Sequence, residues 1–153
     1  MAIQPKPFSL DTVLNYRKRL EDLAKNRFFE SKNIQSIIEK KLISEKETLR
    51  NIINECEQLQ IEGIEITRLI QFEEKIVATK NNILAIEKNL QEKIKLVEQA
   101  QLNLLQKSQE YQVMKRLKHE QNASWQHHLN KKEAAMLDEV AIMRYGKDPF
   151  SGQ

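Results

Sequence analysis

Proline and glycine are almost missing from the interior of this chain. Between Pro7 and Pro149 lie 141 residues without a proline, and the glycines among them are Gly63 and Gly146. Inside a helix a proline costs about 3 kcal/mol and a glycine about 1 kcal/mol relative to alanine, so little in this stretch opposes helix propagation. The composition therefore predicts one or two very long helices.

Aromatic residues, cysteine and long apolar runs are also scarce. Aromatics make up 6% of the chain and charged residues 31%, which is too polar for a compact globule of 153 residues but ordinary for helices buried along one stripe. No apolar run exceeds four residues, so we expect neither a transmembrane helix nor a signal peptide, and we expect a cytoplasmic protein. The single cysteine, Cys56, fits a reducing compartment.

The residue patterns of catalytic and metal sites are missing too. There is no glycine-rich phosphate loop, no Ser/His/Asp set and no Cys/His pair, and helical rods offer no enclosed pocket. His119, His127 and His128 are close in sequence, but their spacing is not that of a zinc site, and we interpret them as surface residues. We expect a protein that is not an enzyme and that uses no cofactor and no metal.

Charges of both signs are interleaved along the chain. Lysine and arginine number 25 and aspartate and glutamate 22, and opposite charges often lie three or four residues apart, as in Glu21 with Lys25 and Glu47 with Arg50. This pattern indicates a solvated, ion-paired helix surface. It lacks the concentrated basic stripe that binds nucleic acid, so we expect no nucleic-acid partner.

A seven-residue repeat in the second half of the chain is the strongest positive signal. Because a strict heptad drifts against the 3.6-residue helical period, it keeps one face toward a partner helix through left-handed supercoiling. Past Tyr111 the same positions hold Lys118, Trp125 and Lys132, so the seam becomes more polar there. The repeat consists of Leu69, Ile76, Ile83, Leu90, Val97, Leu104 and Tyr111.

The first half carries an apolar seam of its own, with a change of phase between Ile34 and Leu42. Gly63 lies between the halves and can adopt a positive φ. We predict a turn at 61–66 and an all-α fold, an elongated antiparallel two-helix coiled coil. The alternative is one continuous helix that tolerates the glycine and pairs with a second chain. The predicted seam residues are Val13, Tyr16, Leu20, Leu23, Leu49, Ile52, Cys56, Leu59, Gly63 and Ile66.

Capping signals mark both ends of the hairpin. Ser9 is a good N-cap, and Phe8 and Val13 occupy the positions of a hydrophobic staple. Gly146, followed by Pro149, predicts a left-handed cap that stops the second helix near residue 145, so this longer helix overhangs the first. The chain then divides into an N-terminal tail, the hairpin and a C-terminal tail, at 1–8, 9–145 and 146–153.

Three segments, taken in order, resemble the flagellar export protein FliJ and the wider group of YscO-like stalk proteins of injectisomes. The most specific is the third, with its pattern Asp-Glu-x-Ala-x-x-Arg near the C-terminus. The resemblance covers nearly the whole chain, including its length and the position of the turn. The segments are Phe8–Arg17, Leu69–Phe72 leading to Ile76, and Asp138–Arg144.

This resemblance implies a coiled-coil stalk similar to the central stalk of a rotary ATPase. Proteins of the family bind the hexameric export ATPase FliI, promote its assembly, engage the export-gate protein FlhA and handle export chaperones. For this chain the resemblance implies a non-catalytic, monomeric coupling component. It would be cytoplasmic and peripherally associated with the export apparatus at the inner membrane, in either a flagellar or an injectisome system.

The resemblance also assigns candidate contact residues. We expect the paired ends of the hairpin to enter the ring of the ATPase, and residues near the turn to face the gate. For each residue the alternative is a structural role, closing the helix pair or forming a solvated face. The candidate ATPase-facing residues are Leu10, Val13, Leu14, Arg17, Asp138, Glu139, Ala141 and Arg144. The candidate gate-facing residues are Leu42, Leu49, Phe72 and Ile76.

A second functional class stays open, that of a structural or chaperone-like coiled coil. It would be a prefoldin-like clamp or a parallel homodimeric scaffold. A parallel dimer would place Tyr16 beside Tyr16 of a second chain, whereas the hairpin places it near the C-terminal half of its own chain. Membrane-surface binding requires an isolated helix with a basic face, and the seam here suits another helix instead.

Overall fold

The computed structural model describes residues 10–146, and in that range the chain forms two α-helices and no strand. Helix α1 is Asp11–Glu62 with 52 residues, and helix α2 is Ile66–Tyr145 with 80 residues. Neither helix contains a proline or a glycine, so no residue breaks its hydrogen-bond ladder. The predicted cap and staple at Ser9 and Phe8 lie outside the described residues.

Three residues, Gly63 to Glu65, connect the helices. Gly63 has a φ of 97°, in the left-handed region that costs other residues about 1–2 kcal/mol. Apart from its chain neighbours, no heavy atom lies within 4 Å of the place where a Cβ would stand. Glycine is therefore required here by the backbone conformation and not by a lack of room for a side chain. After the turn, the Leu69 N–H donates to the Glu65 carbonyl at 3.0 Å and opens α2.

Replacement of Gly63 tests this account of the turn. We expect Gly63→Ala to lower the free energy of unfolding by about 1–2 kcal/mol, because alanine resists the left-handed conformation. Gly63→Asn should cost less, since asparagine tolerates positive φ better than alanine. Urea denaturation of the three proteins checks the order, and an alanine variant as stable as the glycine protein would contradict it.

Ion pairs between the helices show that they run antiparallel. The chain divides into a turn unit, Glu21–Lys107, and an end unit, Met1–Leu20 with Ser108–Gln153. In the end unit Asp11 Oδ1 lies 3.4 Å from Lys118 Nζ, and Arg17 Nη1 lies 2.6 Å from Glu110 Oε2. As the residue number rises along α1, the number of its partner on α2 falls.

The turn unit has the same arrangement. Lys46 Nζ on α1 lies 3.5 Å from Glu87 Oε1 on α2, with the turn between them in sequence. The predicted antiparallel two-helix hairpin is therefore confirmed. The alternatives of one continuous helix and of a parallel dimer are wrong, because a left-handed glycine interrupts the helix and the seam is filled within one chain.

The inner seam of α1 is more regular and more polar than the sequence suggested. From Leu14 to Leu59 it repeats at alternating intervals of three and four residues without a change of phase, and every position is buried or half-buried. The predicted phase change between Ile34 and Leu42 is wrong. The seam residues are Leu14, Arg17, Glu21, Ala24, Phe28, Ser31, Gln35, Ile38, Leu42, Glu45, Leu49, Ile52, Cys56 and Leu59.

Several apolar residues that were assigned to this seam lie outside it. Tyr16 is 57% exposed, Leu23 is 52% exposed and Ile66 is 77% exposed. Their places are taken by polar side chains such as Glu21, which is 5% exposed and has its Oε1 3.0 Å from Lys25 Nζ. The ion pair compensates the buried carboxylate. Glu21 can therefore lie in the helix interface, although a glutamate is normally expected to face solvent.

The seam of α2 agrees with the heptad prediction. All seven predicted positions, from Leu69 to Tyr111, are buried or half-buried, and Ile83 and Val97 are among the most enclosed side chains described. At the far end of α2 the prediction of a left-handed glycine cap is wrong. Gly146 does not have a left-handed φ, and its N–H donates to the Ile142 carbonyl at 2.8 Å, as in a continuing helical turn.

Candidate partner-binding surfaces

The C-terminal part of α2 continues past the start of α1. Lys118 lies opposite Asp11, and α2 goes on to Tyr145, so residues 119–145 have no described α1 residue alongside them. We call these residues the α2 extension. Every residue described from position 130 onward is exposed. The extension therefore offers a helix surface to a partner.

Large apolar side chains are concentrated on this extension. Trp125 and Leu129 continue the three-and-four spacing of the α2 seam, and Met136, Val140 and Met143 follow at matching intervals. A heptad seam indicates a surface that packs against another helix, and an exposed apolar patch of this kind marks an interaction site. The exposed apolar residues near its end are Met136, Leu137, Val140, Ile142, Met143 and Tyr145.

A shallow groove lies on one face at the end of the extension. Its lining residues are spaced one helical turn apart, so apolar side chains surround one guanidinium. We call it the C-terminal groove. It is lined by Leu137, Val140, Ala141, Arg144 and Tyr145.

The groove contains two of the four candidate ATPase-facing residues on α2. Ala141 and Arg144 line it, whereas Asp138 and Glu139 are exposed elsewhere on the helix circumference. The sequence reasoning missed its apolar members. The sequence did contain a signal for them. Leu137, Val140 and Tyr145 share one helix face with Ala141 and Arg144, but the motif Asp-Glu-x-Ala-x-x-Arg does not specify them.

The candidate residues at the start of α1 have mixed environments. Leu10 and Val13 are partly exposed, at 38% and 37%, while Leu14 is half-buried on the seam. Arg17 is also half-buried, and its Nη1 donates to Glu110 Oε2 at 2.6 Å. Arg17 therefore takes part in the packing of the hairpin.

Positive charge surrounds this packing layer. Lys18 Nζ and Lys115 Nζ each lie 5.3 Å from the centre of the Tyr111 ring, one from each helix. Cation–π contacts at such partly exposed sites are worth about 0.5–1 kcal/mol each. Polar contacts therefore accompany the packing of the start of α1 against α2.

The structure does not bring the two groups of ATPase-facing candidates together. Asp138 lies 20 residues beyond Lys118, about 30 Å along the helix at 1.5 Å per residue. We expected both ends of the hairpin to lie side by side. Among the described residues, the α1 candidates instead lie at the base of the α2 extension, and the α2 candidates lie near its tip.

The candidate gate-facing residues all lie on the inner seam. Leu42 and Leu49 on α1, and Phe72 and Ile76 on α2, are half-buried. Each is positioned by the heptad and packs into the hairpin, which leaves part of its side chain accessible. A partner at this site would touch the edges of the seam.

The three histidines lie on the surface of α2. His128 stacks on Trp125 with ring centres 5.7 Å apart, and His119 and His127 are exposed. Within residues 10–146 there is no group of three potential metal ligands. Over the same range, neither helix has a segment apolar and long enough to span a membrane.

Comparison with known proteins places the chain in a family. The family described as flagellar FliJ protein matches residues 5–149. The structure is similar to one described as a YscO homologue, CT670 from Chlamydia trachomatis, with a TM-score of 0.70 and 15% sequence identity, covering 94% of this chain and 96% of that one. At this identity the likeness concerns the fold. A search of curated proteins found no match.

Proposed function

The chain belongs to the flagellar FliJ family, and from that premise we propose that it is a non-catalytic stalk that couples an export ATPase ring to the export gate. Membership makes it a coiled-coil protein associated with type III export. The finer assignment, to the ATPase, its assembly and the gate, is our proposal. It places the protein at the cytoplasmic side of the export apparatus, next to the inner membrane.

The α2 extension is the observation that carries this proposal. It is a single helix of 27 residues beyond Lys118, with Trp125, Leu129, Met136, Val140 and Met143 at seam-like intervals and no described residue of α1 against it. A lone helix is about 10–12 Å across, so the α2 extension can enter a narrower opening than the two-helix part of the hairpin. In the ring, the seam would gain the apolar partner that the described chain does not provide.

Specific roles follow for the candidate residues. We propose that Ala141 and Arg144 contact the ring through the C-terminal groove, with Asp138 at its edge and Glu139 on the opposite side of the helix. Leu10, Val13, Leu14 and Arg17 would meet the rim of the ring, since they lie at the base of the extension. In the turn unit, the accessible edges of the gate-facing residues would meet the gate, and export chaperones would bind the remaining surface. The gate-facing residues are Leu42, Leu49, Phe72 and Ile76.

Reconstitution with the cognate export ATPase tests the proposal. Wild-type protein should raise ATP hydrolysis and hexamer formation, and Arg144→Glu should reduce both effects about tenfold, the result of losing about 1.4 kcal/mol at the interface. Lys131→Glu is the matched control, because it makes the same charge change on an exposed residue of the extension outside the groove.

Each outcome bears on the proposal. Retained stimulation with Lys131→Glu, together with its loss in Arg144→Glu, supports a specific ring contact at the groove. If the wild-type protein alters neither hydrolysis nor assembly, the stalk assignment is wrong. Equal loss in both variants would show that net charge, and not the groove, governs the association.

A further inference from the structure

A second shallow groove lies at the base of the α2 extension. It shares Gln121 and Trp125 with the half-buried seam of α2, and its other members lie on the adjoining face at helical spacing. Its middle is about 27 Å along the helix from the C-terminal groove, so the two surfaces are separate. We call it the base groove. It is lined by Leu117, Glu120, Gln121, Ser124, Trp125 and His128.

Two rings form one side of the base groove. Trp125, the single tryptophan of the chain, is half-buried, and its ring stacks on that of His128 with centres 5.7 Å apart. Aromatic rings remove a large apolar area from water when another flat side chain packs against them. The groove therefore suits a side chain such as that of phenylalanine or proline.

The chain enters α1 beside this groove. Asp11 Oδ1 lies 3.4 Å from Lys118 Nζ, one residue away from Leu117 in the groove. The Leu14 N–H donates to the Leu10 carbonyl at 2.9 Å, so helical hydrogen bonding begins at Leu10. Because the helices are antiparallel, going back along α1 leads in the direction of the α2 extension. The residues that precede Leu10 are therefore attached where the base groove begins.

The N-terminal tail, residues 1–8, has the composition of an extended segment. Pro5 and Pro7 each fix φ at about −65° and remove a backbone donor. Each also disfavours the helical conformation at the residue before it. We therefore expect an extended tail and not a longer α1.

The reach of such a tail matches the position of the groove. An extended chain advances about 3.3 Å per residue and a helix about 1.5 Å. Phe8 stands three residues before Asp11, so an extended tail brings it about 10 Å along the extension. Trp125 stands seven residues beyond Lys118, also about 10 Å along it. The two large apolar side chains thus reach the same level.

We propose that the base groove is the docking site of the chain's own N-terminal tail, with Phe8 packed against Trp125 and Pro7 beside His128. The tail is joined to α1 at the groove, so its effective concentration there is of the order of millimolar or higher, and a modest contact area keeps it bound. The prolines lower the conformational entropy that docking costs. A separate protein that binds the base groove has to displace the tail, whereas the C-terminal groove lies beyond the reach of Phe8.

The hydrophobic staple predicted for Phe8 and Val13 is the competing arrangement. In a staple, Phe8 packs on the surface of α1 at Val13, which is 37% exposed. Phe8 then leaves Trp125 uncovered. The accessibility of Trp125 to solvent therefore distinguishes the two arrangements.

The fluorescence of Trp125 provides the first test, because no other tryptophan contributes to it. In the full chain, Phe8→Ser should raise the acrylamide quenching constant about twofold and shift the emission to longer wavelength, since water replaces the phenylalanine ring. Phe29→Ser is the matched control. Phe29 is 65% exposed on α1 in the turn unit, and its replacement should leave the emission and the quenching unchanged.

A disulfide provides the second test and locates the tail on one face. In the full chain with Cys56→Ala, which removes the native thiol, Phe8→Cys with Ser124→Cys should form an intramolecular bridge in most molecules under mild oxidation. Phe8→Cys with Gln126→Cys is the matched control. Gln126 is exposed two residues further on, on the far side of the helix from the base groove, and should form few bridges.

Three results would overturn the proposal. Unchanged quenching in Phe8→Ser would mean that Phe8 does no more than staple Val13. Equal bridging to Ser124→Cys and Gln126→Cys would mean that the tail has no preferred face, and bridges formed only between chains would place a second copy in the groove. None of these measurements involves the ATPase. A failure here leaves the stalk proposal intact, and a failure of the stalk proposal leaves this site standing.

Discussion

Ile83→Asp should unfold most of the hairpin under conditions in which the wild-type protein is fully folded. Ile83 is 8% exposed, is one of the seven predicted heptad positions on α2, and packs in the turn unit. An aspartate there loses the apolar contacts of isoleucine and buries a carboxylate that has no counter-charge built for it. We expect the free energy of unfolding to fall by about 3–5 kcal/mol, measured by urea denaturation with circular dichroism.

The next residue provides the matched control. Leu84 is 63% exposed, so Leu84→Asp introduces the same side chain one position away, into solvent. Its expected effect is within about 0.5 kcal/mol. Both variants place one aspartate in the same turn of the same helix, so both lose the same helix propensity. The difference between their unfolding free energies therefore measures the cost of burying the aspartate in the seam. Equal destabilisation by the two would contradict the assigned register.

Leu137→Gln combined with Val140→Gln should abolish the stimulation of the export ATPase, if the proposed ring contact is correct. Both residues line the C-terminal groove and are exposed, at 66% and 50%. Glutamine keeps the helix propensity and the net charge but removes the apolar surface, so binding should weaken about 100-fold while the free energy of unfolding stays within about 0.5 kcal/mol.

A second double variant keeps this test specific. Ala135→Gln with Ile142→Gln makes the same type of change on exposed residues of the same extension that do not line the groove. It should retain most of the stimulation in the hydrolysis assay. If the two double variants lose stimulation to the same extent, the whole extension and not this face of it binds the ring. If neither loses it, the groove has no part in the coupling.

The second helix could be predicted in detail because its seam is aliphatic at nearly every heptad position. From Leu69 to Leu104 each position holds leucine, isoleucine or valine, and a repeat of that strength identifies the buried face without any knowledge of the partner. The glycine that allows the turn is equally visible in sequence, since Gly63 is the only glycine between residues 8 and 145 and glycine takes a positive φ at no steric cost.

The first helix could not be predicted as well, for a physical reason. Its seam includes polar residues such as Arg17, Glu21 and Gln35, which have partners on the opposite helix or one turn away. A prediction from one sequence assigns such polar residues to the solvent-facing side of the helix. It then assigns the neighbouring apolar residues, which are in fact exposed, to the seam. This error produced the predicted change of seam phase between Ile34 and Leu42, which the helix does not have.

The candidate contact surface was predicted in part. Family motifs pointed to Ala141 and Arg144, which line the C-terminal groove, and also to Asp138 and Glu139, which do not. The register between the helices decides where the α2 extension begins, and that register is set by long-range pairs such as Asp11 with Lys118. No local pattern encodes such a pair, but the overhang predicted from the turn and from the stop near residue 145 already implies that the two groups of candidates lie apart.

The position of Cys56 allows local opening of the hairpin to be measured through the reactivity of its thiol. It is the single thiol of the chain, and it is 6% exposed on the seam of the turn unit. An alkylating reagent reaches a buried sulfur only while the surrounding helices separate, so the rate of modification measures how often that part of the hairpin opens. Partners that clamp the turn unit would slow this chemistry, and no label need be added to observe it.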